Sequence, residues 1–171
     1  VLEDGLESVS LSANWMWPCK NKGEDARLYR AVQAAGDFSC DLGINIPTGT
    51  ASLSMTQKYK DGSEVYSPGT VIISAAAEIS DFTRAVEPAA CDQPGSRIIY
   101  IDFSSDSFKT GGSAFAQSLN SLGGNDTPVV TDPAYFVKAF ETVQQLVDQQ
   151  LLLARHDIST GGMMVTLLEM C

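Results

Sequence analysis

Two long stretches of this chain carry apolar residues at helical spacing, and short, mostly apolar runs separate them. Residues 23–42 and 133–150 each show a one-sided apolar stripe, which predicts amphipathic helices. The runs at 68–80, 95–104 and 151–154 are apolar nearly throughout, which is typical of buried strands. This alternation predicts a fold that contains both helices and strands.

Local signals set the ends of the first predicted helix. Glu24 and Asp25 lie in its first turn, where the helix dipole favours acidic side chains, and Gly43 is suited to ending it. Residues 1–22 before it are predicted to be irregular, and residues 44–52 after it are predicted to be a loop. The apolar stripe consists of Leu28, Val32, Ala35 and Leu42.

A strand is predicted over 52–59, because polar and apolar residues alternate there, and the stretch 60–63 (KDGS) predicts a turn. In the second half, Asp132 and Pro133 predict the N-cap and first residue of the second long helix. Its stripe consists of Phe136, Phe140, Val143 and Val147. Shorter helices are predicted over 111–122, ended by Gly123 and Gly124, and over 163–170.

A stretch with two prolines and a glycine interrupts the chain at 87–96 and shows no apolar periodicity. Such composition is typical of a segment between domains. We therefore predict two domains, residues 1–90 and residues 91–171.

Charge and cysteine usage exclude several classes of function. The formal net charge is −10 and there is no basic tract, so we expect no nucleic-acid partner. No apolar run reaches the roughly 18 residues of a membrane span, so we expect no membrane partner. Cys19, Cys40, Cys91 and Cys171 form no CxxC pair, and the single histidine leaves no Cys/His zinc set. Their irregular spacing predicts reduced thiols in the cytoplasm.

The stretch HDISTGG (156–162) is the best candidate for chemistry. Asp157 follows an apolar run and offers the oxygen ligand that Mg²⁺ prefers, and Ser159 offers a hydroxyl to a nucleotide. Gly161 and Gly162 would let a phosphate approach the backbone closely. The alternative is structural: Asp157 and Ser159 would cap the last helix, and His156 would pack at the end of a strand.

Three weaker patterns each have a structural alternative. Residues 47–55 could bind phosphate but lack the lysine of a P-loop, so they also fit a turn into a strand. The aromatic stretch 14–18 could contact a ligand or pack against the core. TGG occurs in both 108–119 and 158–169, before a predicted helix, which fits two anion-binding helix starts or two ordinary turns.

The same residues resemble the large, single-chain form of the phosphoribosylformylglycinamidine synthase family. The matching stretches occur in family order along essentially the whole chain. They are SLSANWM (10–16), GEDARLYRAVQAA (23–35), GINIPTG (43–49), SLSM (52–55), PGTVIISAAAEISD (68–81), TGGSAFAQSL (110–119) and HDISTGG (156–162).

The resemblance implies an internal piece of a longer protein that has two tandem AIR-synthetase-like units and a glutaminase domain. Residues 1–90 would be the later part of the second unit's α+β N-terminal-type domain, and residues 91–171 the first part of its α/β C-terminal-type domain. A metal-binding Glu and Asn would lie upstream of Val1. Within this chain, the resemblance makes Asp157 a Mg²⁺ ligand and Ser159 an ATP contact.

The implied reaction is that of an ATP-dependent ligase in purine biosynthesis. It converts formylglycinamide ribonucleotide, glutamine and ATP to formylglycinamidine ribonucleotide, ADP, phosphate and glutamate, with Mg²⁺ as cofactor. The chain departs from the family at 49–52, where Gly-Thr-Ala-Ser replaces the usual Gly-Lys-Asp-Ser. Two alternatives therefore stay open: a structural, non-catalytic nucleotide site in this half of the enzyme, and another AIR-synthetase-like enzyme.

Overall fold

The computed structural model describes residues 1–90, 93–122 and 126–171. The predicted helix end at Gly123 and Gly124, and Cys91, lie outside the described residues. The chain forms two compact units, which are Leu2–Glu78 and Ile79–Cys171, the second including Val1. Each unit is described by itself.

A three-stranded sheet forms the centre of unit Leu2–Glu78. Strand β1 (Ser10–Met16) lies between β2 (Asn45–Ser52) and β5 (Thr70–Ala76). It pairs in parallel with β2 and antiparallel with β5. The prediction that residues 1–22 are irregular is therefore wrong for β1. The alternation of small or polar residues with apolar ones in SLSANWM is the period-two signal that identifies this strand.

Strand β2 lies where a loop was predicted. Pro47 and Gly49 suggest a loop, but β2 is an edge strand, and an edge strand tolerates proline because one side of its backbone needs no partner. The register with β1 is irregular between Ser10 and Ser12, opposite the stretch that contains Pro47. The strand predicted at 52–59 is realised only as the short β3 (Thr56–Lys58).

Helix α1 (Glu24–Leu42) confirms the first predicted helix. Gly43 follows it with φ +71°, and its N–H bonds back to the carbonyl of Cys40. Strands β3 and β4 (Glu64–Tyr66) form an antiparallel hairpin around the predicted turn, where Asp61 accepts a hydrogen bond from the N–H of Ser63. The buried apolar side chains of unit Leu2–Glu78 are Leu6, Ala13, Trp17 and Leu42.

The described part of unit Ile79–Cys171 contains a short 3-10 helix (Phe82–Arg84) and three α-helices: α2 (Ala114–Ser118), α3 (Pro133–Asp148) and α4 (Gly162–Glu169). Asp132 caps α3 as predicted, since its carboxylate accepts a hydrogen bond from the N–H of Tyr135 at 2.9 Å. Val143 and Val147 from the predicted stripe are buried. Helix α2 is shorter than predicted and begins after Ser113, which caps it with its hydroxyl.

No strand occurs in the described part of Ile79–Cys171, so the strands predicted over 95–104 and 151–154 are wrong for this structure. Most of their apolar side chains are exposed: Ile98 is 83% accessible and Leu151 62%. A strand needs a neighbour that accepts and donates its backbone hydrogen bonds, and the described residues supply none here. The strand predicted at 68–80 is present as β5, but Val71, Ile72 and Ile73 are exposed and not buried.

The segment after Glu78 is bonded within the C-terminal unit. Arg84 pairs with Asp148 at the end of α3, the N–H of Arg155 donates to the carbonyl of Glu87, and the N–H of Ala90 donates to the carbonyl of Met170. The division into compact units thus falls at residues 78 and 79. The domain boundary that we predict at residues 90 and 91 stays a prediction.

Candidate functional site

The loop at 156–162 leads directly into helix α4. Asp157 and Ser159 are both exposed, and the N–H of Gly162 donates to the carbonyl of Ser159 at 3.0 Å, which closes the loop as a turn. Among the described residues, no donor bonds to the carboxylate of Asp157. This carboxylate is therefore available to a ligand outside the protein chain.

The structural alternative for these residues does not match the geometry. Helix α4 has Gly161 at its N-cap and no side-chain cap bond, so neither Asp157 nor Ser159 caps it. His156 follows no strand in the described residues. Its Nδ1 lies 2.8 Å from the carbonyl oxygen of Asp157, and its Nε2 lies 3.2 Å from a carboxylate oxygen of Glu169.

The glycines of the loop have backbone angles that other residues rarely adopt. Gly161 has φ +101°, and a Cβ there would lie 2.8 Å from the side chain of Val165. Gly162 has φ +73°. At the related TGG stretch, Gly112 has φ +74° but Ser113 caps the following helix, so the two helix starts differ.

Asp157 fits a Mg²⁺ site as one ligand of several. A carboxylate is the hard oxygen donor that Mg²⁺ prefers, and this one is exposed and unbonded. Within the described residues, no group of three or more His, Cys, Asp or Glu side chains could hold a metal ion. The other ligands of a Mg²⁺ ion at Asp157 would therefore be oxygen atoms of other kinds, such as water or phosphate, or residues outside the described part.

The stretch 47–52 forms part of β2 and borders an open cleft of about 410 Å³. The hydroxyl of Thr50 donates to the side-chain oxygen of Asn14 on β1 at 2.6 Å. A Cβ on Gly49 would lie 2.3 Å from the carbonyl oxygen of Ala13, so this glycine serves strand packing. The cleft contains no charged side chain; its lining is Ala13, Trp15, Ile46, Pro47, Thr48, Gly49, Thr50 and Ala51.

The aromatic stretch 14–18 packs within its own unit. Trp17 is 6% exposed, and its ring lies 6.5 Å from that of Trp15. The guanidinium of Arg27 lies 5.6 Å from the Trp17 ring centre, which is within cation–π range. This arrangement favours packing over ligand contact.

Comparison with known proteins agrees with the stretches that carry the resemblance. The FGAR-AT PurM_N-like domain family matches residues 2–78. The chain is 38% identical over 166 residues to a protein of Arabidopsis thaliana named probable phosphoribosylformylglycinamidine synthase, chloroplastic/mitochondrial. It is also 38% identical over 176 aligned residues to a probable phosphoribosylformylglycinamidine synthase of Caenorhabditis elegans.

Both matches cover 96% of this chain but only 12% and 13% of the relatives. Residues 2–78 thus define an FGAR-AT PurM_N-like domain, whose mixed helix and strand content fits an AIR-synthetase-like fold. Over 96% of its length the chain is similar to proteins named phosphoribosylformylglycinamidine synthase, as the resemblance in its sequence predicts.

Sequence reasoning missed one residue of the candidate site. Thr166 in α4 is 6% exposed, and its hydroxyl lies 3.4 Å from the carbonyl oxygen of Asp157. Its position within an apolar helix segment, MMVTLLEM, gave a weak signal, because a polar residue among apolar ones usually needs a specific partner.

In the described part of the chain, no helix has the length and apolarity that crossing a bilayer requires.

Proposed function

We propose that this chain is part of an ATP-dependent ligase of purine biosynthesis. The reaction converts formylglycinamide ribonucleotide, glutamine and ATP to formylglycinamidine ribonucleotide, ADP, phosphate and glutamate. The observation that carries the proposal is 38% identity, over 96% of this chain, to relatives whose names state this synthase activity. The relatives are much longer, so the remaining length would supply the glutaminase domain and other partners.

Within this chain, Asp157 is proposed as a Mg²⁺ ligand and Ser159 as an ATP contact. The exposed and unbonded carboxylate of Asp157 and the left-handed glycines that follow it support these roles. Bound Mg²⁺ would supply positive charge that offsets the phosphate groups of ATP. In a chain of net charge −10, a bound nucleotide needs a metal ion or backbone amides to offset the repulsion.

We also propose a cellular compartment for the protein and an outcome for the activity of this chain alone. Irregularly spaced cysteines favour the cytoplasm, and Cys19, Cys40 and Cys171 are free thiols. One relative is named as chloroplastic/mitochondrial, so another compartment is the alternative. We expect residues 1–171 alone to release no phosphate from ATP in the presence of substrate and ammonium, because the other metal ligands would be missing.

The decisive experiment replaces Asp157 with Asn in the full-length protein. This change removes a negative charge and nearly preserves the shape of the side chain. We expect Mg²⁺-dependent ATP or ADP affinity, measured by calorimetry, to fall at least tenfold, as metal sites do when a ligand is weakened. The matched control is Asp37→Asn on the exposed surface of α1, which should change nothing. Unchanged Mg²⁺-nucleotide affinity in Asp157→Asn rejects the metal role.

A second candidate function is a structural nucleotide site that does not turn over. Its support is the uncharged lining at Gly49–Ser52, where the family's usual lysine and aspartate are absent. The same variant separates the two functions. If Asp157→Asn loses nucleotide affinity and the enzyme keeps its ammonia-dependent turnover, the site is structural; if both are lost while the nucleotide-free melt is unchanged, the site is catalytic.

A further inference from the structure

Helix α4 buries a polar residue and exposes its apolar ones. Thr166 is 6% exposed and is the only buried residue of α4, whereas Met163, Met164 and Leu168 are exposed. This is the reverse of what hydrophobic burial alone produces. A buried hydroxyl needs a hydrogen-bond partner within the protein, so the surroundings of Thr166 identify what it holds.

The buried hydroxyl faces the backbone of the candidate site. Thr166 Oγ1 lies 3.4 Å from the carbonyl oxygen of Asp157 and 3.3 Å from that of Gly162. The Gly162 contact is the ordinary bond of a helical threonine to the carbonyl four residues earlier. The Asp157 contact spans nine residues of the chain, and it connects α4 to the residue proposed to bind Mg²⁺.

A second contact from the same helix face reaches the neighbouring residue. Glu169 lies three positions after Thr166, so both side chains project from one face of α4. The carboxylate of Glu169 is 3.2 Å from His156 Nε2, and His156 Nδ1 is 2.8 Å from the carbonyl oxygen of Asp157. Two side chains, those of Thr166 and His156, thus contact the same carbonyl oxygen of Asp157, while the residue itself stays exposed.

We propose that Thr166 is a positioning residue that orients Asp157 for Mg²⁺ through its hydrogen bond to the Asp157 carbonyl. The inference rests on the proposed function of Asp157. Fixing the backbone of a ligand residue reduces the conformational freedom that is lost when the metal binds. Removing an outer hydrogen-bond partner of a metal ligand costs about 10–100-fold in metal affinity in known sites.

The test is Thr166→Val in the full-length protein, with Thr166→Ser as the conservative variant. Valine matches the shape of threonine and removes only the hydroxyl, so we expect the apparent Mg²⁺ affinity in the presence of ADP to fall about tenfold. Serine keeps the hydroxyl and should stay close to the unmodified protein. The control is Thr142→Val, which removes the equivalent bond to the carbonyl of Lys138 in α3.

Calorimetry distinguishes a positioning defect from a folding defect. A folding defect lowers the fraction of protein that binds Mg²⁺, and so the measured stoichiometry. A positioning defect lowers the Mg²⁺ affinity and leaves the stoichiometry unchanged. Reduced Mg²⁺ affinity at unchanged stoichiometry, restored by serine, supports the proposal; unchanged affinity in Thr166→Val overturns it. If Asp157→Asn also leaves affinity unchanged, the proposed metal role has failed instead. Should Thr166→Val not fold, Thr166→Cys, whose thiol is only a weak donor, is judged by the same criterion.

Discussion

At the scale of single residues, two glycines show how closely the sheet unit is packed. A Cβ on Gly69 would lie 2.4–2.5 Å from the ring of Trp17, and a Cβ on Gly49 would lie 2.3 Å from the carbonyl oxygen of Ala13. Neither glycine has a positive φ, so it is space and not backbone angle that requires them. At both positions, any residue larger than glycine would therefore disturb the packing around β1.

We predict that Gly69→Ala destabilises the protein by about 1–3 kcal/mol, since a buried tryptophan ring must move to admit a methyl group. Gly36→Ala is the matched control, because it lies inside α1 and a Cβ there meets nothing within 4 Å. That change should stabilise by about 0.5–1 kcal/mol through helix propensity. Urea unfolding followed by tryptophan fluorescence measures both, and equal effects of the two changes would contradict the packing explanation.

At the scale of elements, the helices take their ends from short-range chemistry. Asp132 and Pro133 begin α3, and Gly43 ends α1 with the left-handed angle that glycine adopts easily. These signals need only a few neighbouring residues to act.

The cap of α3 gives a direct test. Asp132→Ala removes the carboxylate that accepts the N–H of Tyr135 and should cost about 1 kcal/mol. Asp132→Asn keeps an acceptor and should be nearly neutral. Thermal unfolding of the two variants beside the unmodified protein is sufficient, and an equal loss of stability in both would mean that the charge, not the cap bond, matters.

The difference between local and distant interactions explains which elements were predictable from sequence. The helices α1 and α3 were predicted within about two residues of their observed ends, because caps and apolar stripes are local. Strand β2 was missed, because its pairing with β1 is a long-range contact that Pro47 and Gly49 conceal. The run at 95–104 has strand-like composition but no sheet neighbour among the described residues.

The candidate site was predictable only in part for the same reason. The spacing of Asp157, Ser159 and the two glycines is readable in the sequence. The contact of Thr166 with the Asp157 carbonyl depends on how α4 folds back on the loop. Spacing alone also could not exclude a capping role for Asp157, which required the position of Gly161 at the helix start.

At the scale of the whole molecule, the structure and the family match both place a division after residue 78. The segment that follows is joined to the end of α3 through Arg84, which contacts Asp81 and Asp148. The Pro- and Gly-rich stretch at 87–96 therefore follows residues that are already bonded within the second unit.

Limited trypsin digestion tests this assignment. Arg97 is exposed and makes no ion pair among the described residues, whereas Arg84 is held by two aspartates. We expect the chain to be cut after Arg97 before Arg84, as mass spectrometry of the fragments would show. Asp148→Ala should accelerate cutting after Arg84, while Asp37→Ala should not. Earlier cutting after Arg84 in the unmodified protein would mean that this segment is not held by the second unit.

The mixed pairing of β1 also has a consequence for the order of folding. The pairing of Ser10 with Asn45 closes a loop roughly half as long as the pairing of Ser10 with Ala76. Each doubling of loop length adds about 0.6 kcal/mol to the free-energy cost of closing the loop. Helix formation in α1 shortens the first of these loops further. The β1–α1–β2 segment is thus entropically favoured to assemble first, and β5 joins a partly formed sheet.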